Sequence, residues 1–222
     1  MRIIGGEAKG RVFRLPAGSR IRPTTDRVKE SLFNILRSVE GSTFLELFAG
    51  SGNVGLEALS RRARFATFVE KDIRLVRALQ ASIAQLGFGG MAEVIATDAE
   101  AGLKRIVQKG NRFDIIFADP PYDQGMVLEM LGWPEMKKVL AENGIIVIQH
   151  SAREMPSAED GEGKREDSSR FLQQNSGAVP PFSEQKRERY RSPEELRVQP
   201  WMVADQRRYG DTVLTFLKEN DL

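Results

Sequence analysis

Two short stretches of this 222-residue chain carry side chains that could hold and react with a small ligand. The first is Asp114-Ile115-Ile116-Phe117-Ala118-Asp119-Pro120-Pro121-Tyr122, an apolar run ending in an acid, two prolines and an aromatic ring. Prolines fix φ and lack an N–H, so such a turn leaves backbone carbonyls available as acceptors. Asp119 and the Pro120 carbonyl can take the two hydrogens of an amine while Tyr122 stacks on a ring. That set suits a planar base bearing an exocyclic amino group. The second stretch, Phe44 to Gly55, is an apolar strand running into a glycine-rich turn and then a helix. Gly50 and Gly52 permit backbone conformations that a Cβ would hinder, so a ligand can lie against the main chain. Glu70 ends the next apolar run, where a carboxylate can accept from both hydroxyls of a ribose.

The Gly50–Gly55 spacing also fits the G-x-G-x-x-G dinucleotide fingerprint, a weak signal alone. Glu46, inside the strand, would repel a pyrophosphate and suits a cationic, amino-acid-bearing cofactor better. His150 is the only histidine; it ends a strand and reads as a hydrogen-bonded structural residue rather than a base. No His/Asp/Glu cluster has the spacing of metal ligands, so no metal is expected. The chain has no cysteine, which removes disulfides, thiolate metal sites and thiol nucleophiles together.

These stretches need a frame. Strands are expected at Thr43–Phe48, Phe65–Glu70, Ala92–Thr97, Phe113–Asp119 and Gly144–His150, alternating with helices over about 52–60, 72–86, 100–108 and 126–140, the last interrupted near Gly132 and Pro134. Apolar strands separated by helix-length segments predict parallel βαβ units with helices on both faces. Asp205–Tyr209 and Thr212–Lys218 flank Gly210-Asp211 and predict a closing antiparallel hairpin. Upstream, Arg2–Ile4 and Arg11–Leu15 suggest a small hairpin. Thr24-Thr25-Asp26 then caps a helix whose apolar face is Val28, Leu32, Ile35 and Leu36, ending near Gly41.

Composition bounds the rest. The chain is 41% apolar and 29% charged, enough for a real core. Its net charge is +2, but residues 1–40 hold nine basic and four acidic side chains. A basic section on a near-neutral body points to a locally placed anionic partner such as a phosphate backbone. No run approaches the ~20 apolar residues of a membrane span, and no signal-peptide core is visible, so a soluble, cytoplasmic protein is expected; a monomer is expected as well. We therefore read residues 1–40 as a basic hairpin-and-helix extension and 41–222 as the ligand-binding domain. A polar, proline-punctuated stretch at about 155–200 reads as a flexible insertion within it.

Together, the glycine turn, the acid at the second strand end and the Asp-Pro-Pro-Tyr turn resemble a class I S-adenosylmethionine-dependent amino-methyltransferase. Met1-Arg2-Ile3-Ile4-Gly5-Gly6, the run from Arg22-Pro23-Thr24-Thr25-Asp26 to Leu36, Glu70-Lys71-Asp72 and Arg208-Tyr209-Gly210-Asp211-Thr212 narrow it further. They resemble the bacterial 16S rRNA guanine-N2 methyltransferase family, over roughly 1–154 and 205–218, with 155–200 departing from it. The resemblance implies a Rossmann-like, mostly parallel seven-stranded sheet with a C-terminal antiparallel hairpin. It puts the methionine moiety of S-adenosylmethionine near Glu46, Phe48, Ala49 and Gly50, with Gly52 in the same turn. Glu70, with Lys71 beside it, would bind the ribose, and Asp98 and Ala99 would border the adenine. Thr24, Thr25 and Arg27 would close the pocket. Asp119, Pro120 and Tyr122 would hold the target amine, and Arg11, Arg14, Arg20 and Arg22 would contact RNA phosphates. The partner it implies is 16S rRNA in an assembling 30S subunit. A DNA amino-methyltransferase, a catalytically silent RNA-binding protein on the same scaffold and an NAD enzyme are the competing readings.

Overall fold

The computed structural model describes residues 1–14, 16, 24–122, 124–154, 197–198 and 200–220. Eight strands form one sheet: β1 (Thr43–Leu47), β2 (Phe65–Glu70), β3 (Ala92–Ala96), β4 (Phe113–Ala118), β5 (Leu140–Ser151), β6 (Arg197–Val198), β7 (Trp201–Tyr209) and β8 (Thr212–Glu219). Their order is β3-β2-β1-β4-β5-β8-β7-β6. The first five are parallel, and β8, β7 and β6 complete the sheet antiparallel. This is the expected seven-stranded arrangement with one two-residue strand added at the edge. The helices are α1 (Asp26–Leu36), α2 (Asn53–Ser60), α3 (Ile73–Leu86), α4 (Ala99–Gln108), α5 (Met126–Leu131) and α6 (Pro134–Val139).

Central strands covered on both faces bury most of their side chains, and alternation decides which core each joins. Phe44 of β1, Phe68 of β2, Ile115 and Phe117 of β4 and Val147 of β5 pack with Leu32 of α1, Leu56 of α2 and Leu79 of α3. Leu45, Leu47, Val69, Ile116, Ile146 and Ile148 point the other way, onto Leu103 of α4, Met130 of α5 and Met136 of α6.

Two boundaries differ from expectation. Helix α1 stops at Leu36 rather than near Gly41, because Arg37 takes φ +63°. Its buried residues are Val28, Lys29, Leu32 and Phe33, so the inward face is rotated from the predicted stripe. Strand β5 starts at Leu140: Leu140 pairs with Phe113, the register then shifts, and Ile145 pairs with Ile115. Asn143, at φ +60°, lies within that irregular stretch. Among the described residues, no helix is long and apolar enough to cross a membrane. The expected insertion at 155–200 falls almost wholly outside the described residues.

The N-terminal hairpin exists as a single antiparallel bridge, Arg2 to Val12, with Ile3 and Phe13 buried in the first core. It is fastened to α2. The Ile4 N–H donates to Glu57 Oε2 at 2.8 Å and the Ala8 N–H to Ser60 Oγ at 2.9 Å. Gly6 (φ +73°) passes so close that a Cβ would sit 1.8 Å from the Ser60 carbonyl oxygen. Beneath the hairpin, Lys29 and Glu57 are both fully buried. Lys29 Nζ donates to the Arg2 carbonyl (2.7 Å), Asn53 Oδ1 (2.9 Å) and Glu57 Oε2 (3.5 Å). Burial lowers the Lys29 pKa from its ordinary value, and the Glu57 and Asp26 charges oppose that drop. Glu57→Leu should therefore destabilise the protein by about 3–5 kcal/mol in urea unfolding, since it strands a buried ammonium. Adding Lys29→Met should restore part of that loss.

Candidate active site

In a doubly wound sheet, ligands gather at the carboxyl ends of the strands where the winding reverses. Here that point lies between β1 and β4, whose register sets Leu47 beside Ala118. The glycine turn and the Asp-Pro-Pro-Tyr turn leave the sheet from adjacent positions. Between them opens a cleft of about 710 Å³, walled by Phe48, Gly50, Val69, Glu70, Lys71, Asp72, Leu75, Thr97, Asp98, Ala99, Glu100, Asp119, Pro120, Pro121, Tyr122, Met126, Glu129 and Trp133.

Local chemistry builds the walls. Gly50 (φ +54°) and Gly52 (φ +70°) take the left-handed conformation the turn needs, and Phe48 takes it too, at φ +55°. That is strain of the kind found at functional sites, since a side chain there pays a steric cost. The turn is clamped from β2: Glu70 Oε2 accepts from the Gly50 N–H (2.7 Å) and Oε1 from the Asp72 N–H (2.8 Å). Glu70 is buried to 8% exposure, yet borders the cleft. Asp98 caps α4 by accepting from the Ala101 N–H at 2.9 Å, and that bond holds its carboxyl below the usual range. Tyr122 receives a hydrogen bond from Gln149 Nε2 at 3.2 Å.

Of the residues expected at the site, Phe48, Gly50, Glu70, Lys71, Asp98, Ala99, Asp119, Pro120 and Tyr122 line one cleft. Others are elsewhere. Glu46 shares the Phe44 face of β1 and points at α2, where it accepts from the Gly55 N–H (2.7 Å) and the Val54 N–H (3.4 Å). Burial pushes its pKa up to about 8, with the Asp119 charge adding to the rise and the two N–H groups opposing it. Glu46 is not among the residues that line the cleft. Ala49 and Gly52 are buried within the turn, and a Cβ on Gly52 would lie 2.4 Å from Leu79. Thr25 caps α1, Thr24 is buried against Gln149, and Arg27 is exposed on α1. Arg14 is exposed. Arg11 is engaged: its Nη1 and Nη2 donate to the Leu86 and Gln85 carbonyls at the end of α3. Arg20 and Arg22 lie outside the described residues. His150 is fully buried, its Nδ1 2.8 Å from the Ser151 carbonyl and its Nε2 2.8 Å from Thr215 Oγ1. Burial lowers its pKa to about 4, so it is a neutral structural group. Gln149 and Lys29 were not anticipated.

The cleft wall supplies a charge argument that Glu46 does not. Glu70, Asp72, Asp98, Glu100, Asp119 and Glu129 are six carboxylates against the one ammonium of Lys71. A wall of that sign favours a cation and disfavours a polyphosphate. Among the described residues no cluster of His, Asp and Glu could hold a metal ion.

A sequence model of the family described as Conserved hypothetical protein 95 matches residues 1–169. The chain belongs to that family. It is also 40% identical over 150 residues to "Ribosomal RNA small subunit methyltransferase D" of Escherichia coli K12, covering 67% of this chain and 74% of the relative. The protein of the same name from Haemophilus influenzae is 35% identical over 151 residues, covering 67% and 78%. These matches bear out the resemblance to 16S rRNA methyltransferases. Among solved structures, "Putative methyltransferase yhhF from Escherichia coli" superposes with TM-score 0.70 at 29% identity, covering 100% of this chain and 99% of that one. The Conserved hypothetical protein 95 member described here therefore has the Rossmann-like methyltransferase fold.

The Glu46 carboxyl gives a pH test. Its folded pKa, about 8, lies above the ordinary carboxylate value, so between the two the folded chain keeps a proton that the unfolded chain releases. Its stabilising effect is complete below the unfolded pKa and is lost as pH rises towards 8. Glu46→Gln cannot titrate, so relative to wild type it should gain stability with pH, by up to about 1.4 kcal/mol per pH unit. Urea unfolding at pH 5, 6.5 and 8 measures the difference.

Proposed function

We propose that this chain methylates the exocyclic N2 amine of a guanine in 16S rRNA, using S-adenosylmethionine. The observation that carries the reading is the cleft itself: an Asp-Pro-Pro-Tyr turn and a clamped glycine turn facing one carboxylate-rich space. The names of the relatives support an rRNA substrate and methyl transfer, and the meeting of the two turns supports an amine as the acceptor.

The residues present fit that cofactor. Gly50 brings main chain to the cleft wall, Glu70 and Asp98 are carboxylates suited to ribose and adenine edges, and Phe48 and Leu75 give apolar cover. The acidic wall suits a molecule bearing a sulfonium and an ammonium. When bound, S-adenosylmethionine supplies a methyl group activated for displacement.

A guanine amine is a poor nucleophile because its lone pair is delocalised into the ring. Asp119 and the Pro120 carbonyl, accepting its two N–H bonds, favour a pyramidal nitrogen and stabilise the positive charge that develops there. Asp119 would take the proton that the nitrogen gives up on receiving the methyl group, the sulfonium being left as a neutral thioether. Tyr122 holds the ring plane by stacking. Fixing nitrogen, carbon and sulfur in line supplies much of the remaining acceleration. An acidic cleft admits the base but not its phosphates, so the nucleotide enters with the base turned out of its stack. Exposed arginines such as Arg14 then meet the backbone outside, and the substrate is an assembling 30S subunit.

The test is transfer of labelled methyl groups to 30S subunits lacking modification, with the methylated nucleotide mapped. Label on a single guanine N2 is expected. Label on adenine, preference for DNA, or tight NAD binding by calorimetry would overturn the reading. Asp119→Ala should cut turnover by ~10²–10³ while S-adenosylmethionine affinity barely moves, the signature of a lost transition-state partner. Equal losses in binding and rate would assign Asp119 to pocket integrity instead.

A further inference from the structure

Gln149 is a primary amide directly after the apolar run Ile145–Ile148 of β5. It stands one residue past Ile148, which pairs with Ala118, and it lies on the Val147 face of β5. It is buried to 4% exposure, where an amide must find partners or cost stability. Both ends are engaged: Oε1 accepts from Thr24 Oγ1 at 3.1 Å, and Nε2 donates to the Tyr122 hydroxyl at 3.2 Å. Each hydroxyl can donate or accept, so both bonds survive exchange of the amide's two ends.

The connection continues past Thr24. The Thr24 carbonyl accepts from Asn53 Nδ2 at 2.8 Å, and Asn53 opens α2 directly after the glycine turn. Asn53 Oδ1 in turn accepts from the buried Lys29 ammonium at 2.9 Å. One run of hydrogen bonds thus joins the helix behind the glycine turn to the aromatic ring of the Asp-Pro-Pro-Tyr turn. Two prolines fix the backbone before Tyr122 but leave its side-chain torsions free, and a bond to the hydroxyl restrains them.

We propose that Gln149 is a positioning residue, holding the Tyr122 ring at the angle at which it stacks on the base to be methylated. This rests on the functional reading above. Gln149 acts through Tyr122 and touches no reacting atom.

Steady-state methyl transfer to unmodified 30S subunits should separate Gln149→Leu, Tyr122→Phe and the double variant. Each single change should lower kcat about 3- to 10-fold at saturating cofactor and RNA, the span of one lost hydrogen bond. The double variant should be no worse than the poorer single, because both remove the same contact. Gln149→Glu, which can hold both hydroxyls, should recover most of the rate. Without any substrate, the Tyr122 ring resonances, identified by their loss in Tyr122→Phe, should shift in Gln149→Leu. Gln149→Leu with wild-type kcat and only a lower Tm, multiplying losses in the double variant, or unmoved Tyr122 resonances would each overturn the role. An inactive wild type would overturn the functional reading itself, a result separate from an active wild type matched by Gln149→Leu.

Discussion

Parallel pairing of β1 with β4 is the constraint on which the site depends. The two strands are far apart in sequence, and their carboxyl ends meet only because the winding of the sheet reverses between them. Leu47 then stands beside Ala118, and the residue that follows each strand opens onto the same space. Neither turn alone makes a site. The hydrogen bond from the Gly50 N–H to Glu70 adds β2 to the pair and fixes the height of the turn.

Electrostatics divide the molecule along the same line. The cleft gathers six carboxylates and one ammonium, whereas the first forty residues carry the excess of basic side chains. The excess of each sign thus falls on a different part of the chain. The buried Lys29–Glu57 pair belongs to neither partner. It fastens the hairpin to α2, and through Asn53 it reaches the elements around the cleft.

Much of this could be read from the residues in order. The strands and helices of the sheet were legible because apolar runs of strand length alternate with helix-length segments, and the two ligand turns because glycine and proline mark them. The direction of the Glu46 carboxyl was not legible. In a strand buried on both faces the alternation is invisible in hydropathy, so nothing in Phe-Leu-Glu-Leu says which way the carboxyl points. Lys29 and Glu57 resembled solvated helix residues, because their burial depends on a hairpin that packs over them from outside either helix. Gln149 was hidden because a single amide after an apolar run belongs to no motif. The visible sign was its place directly after Ile-Ile-Val-Ile, on the strand that pairs with β4.

Phe48 carries a consequence for how such a protein can change over time. Its backbone holds a left-handed conformation that glycine or asparagine would occupy with less strain, while its ring forms part of the cleft wall. Selection for thermal endurance alone and selection for turnover thus pull in opposite directions at a single codon. Glycine at this position would relax the turn and remove part of the cavity wall in one step.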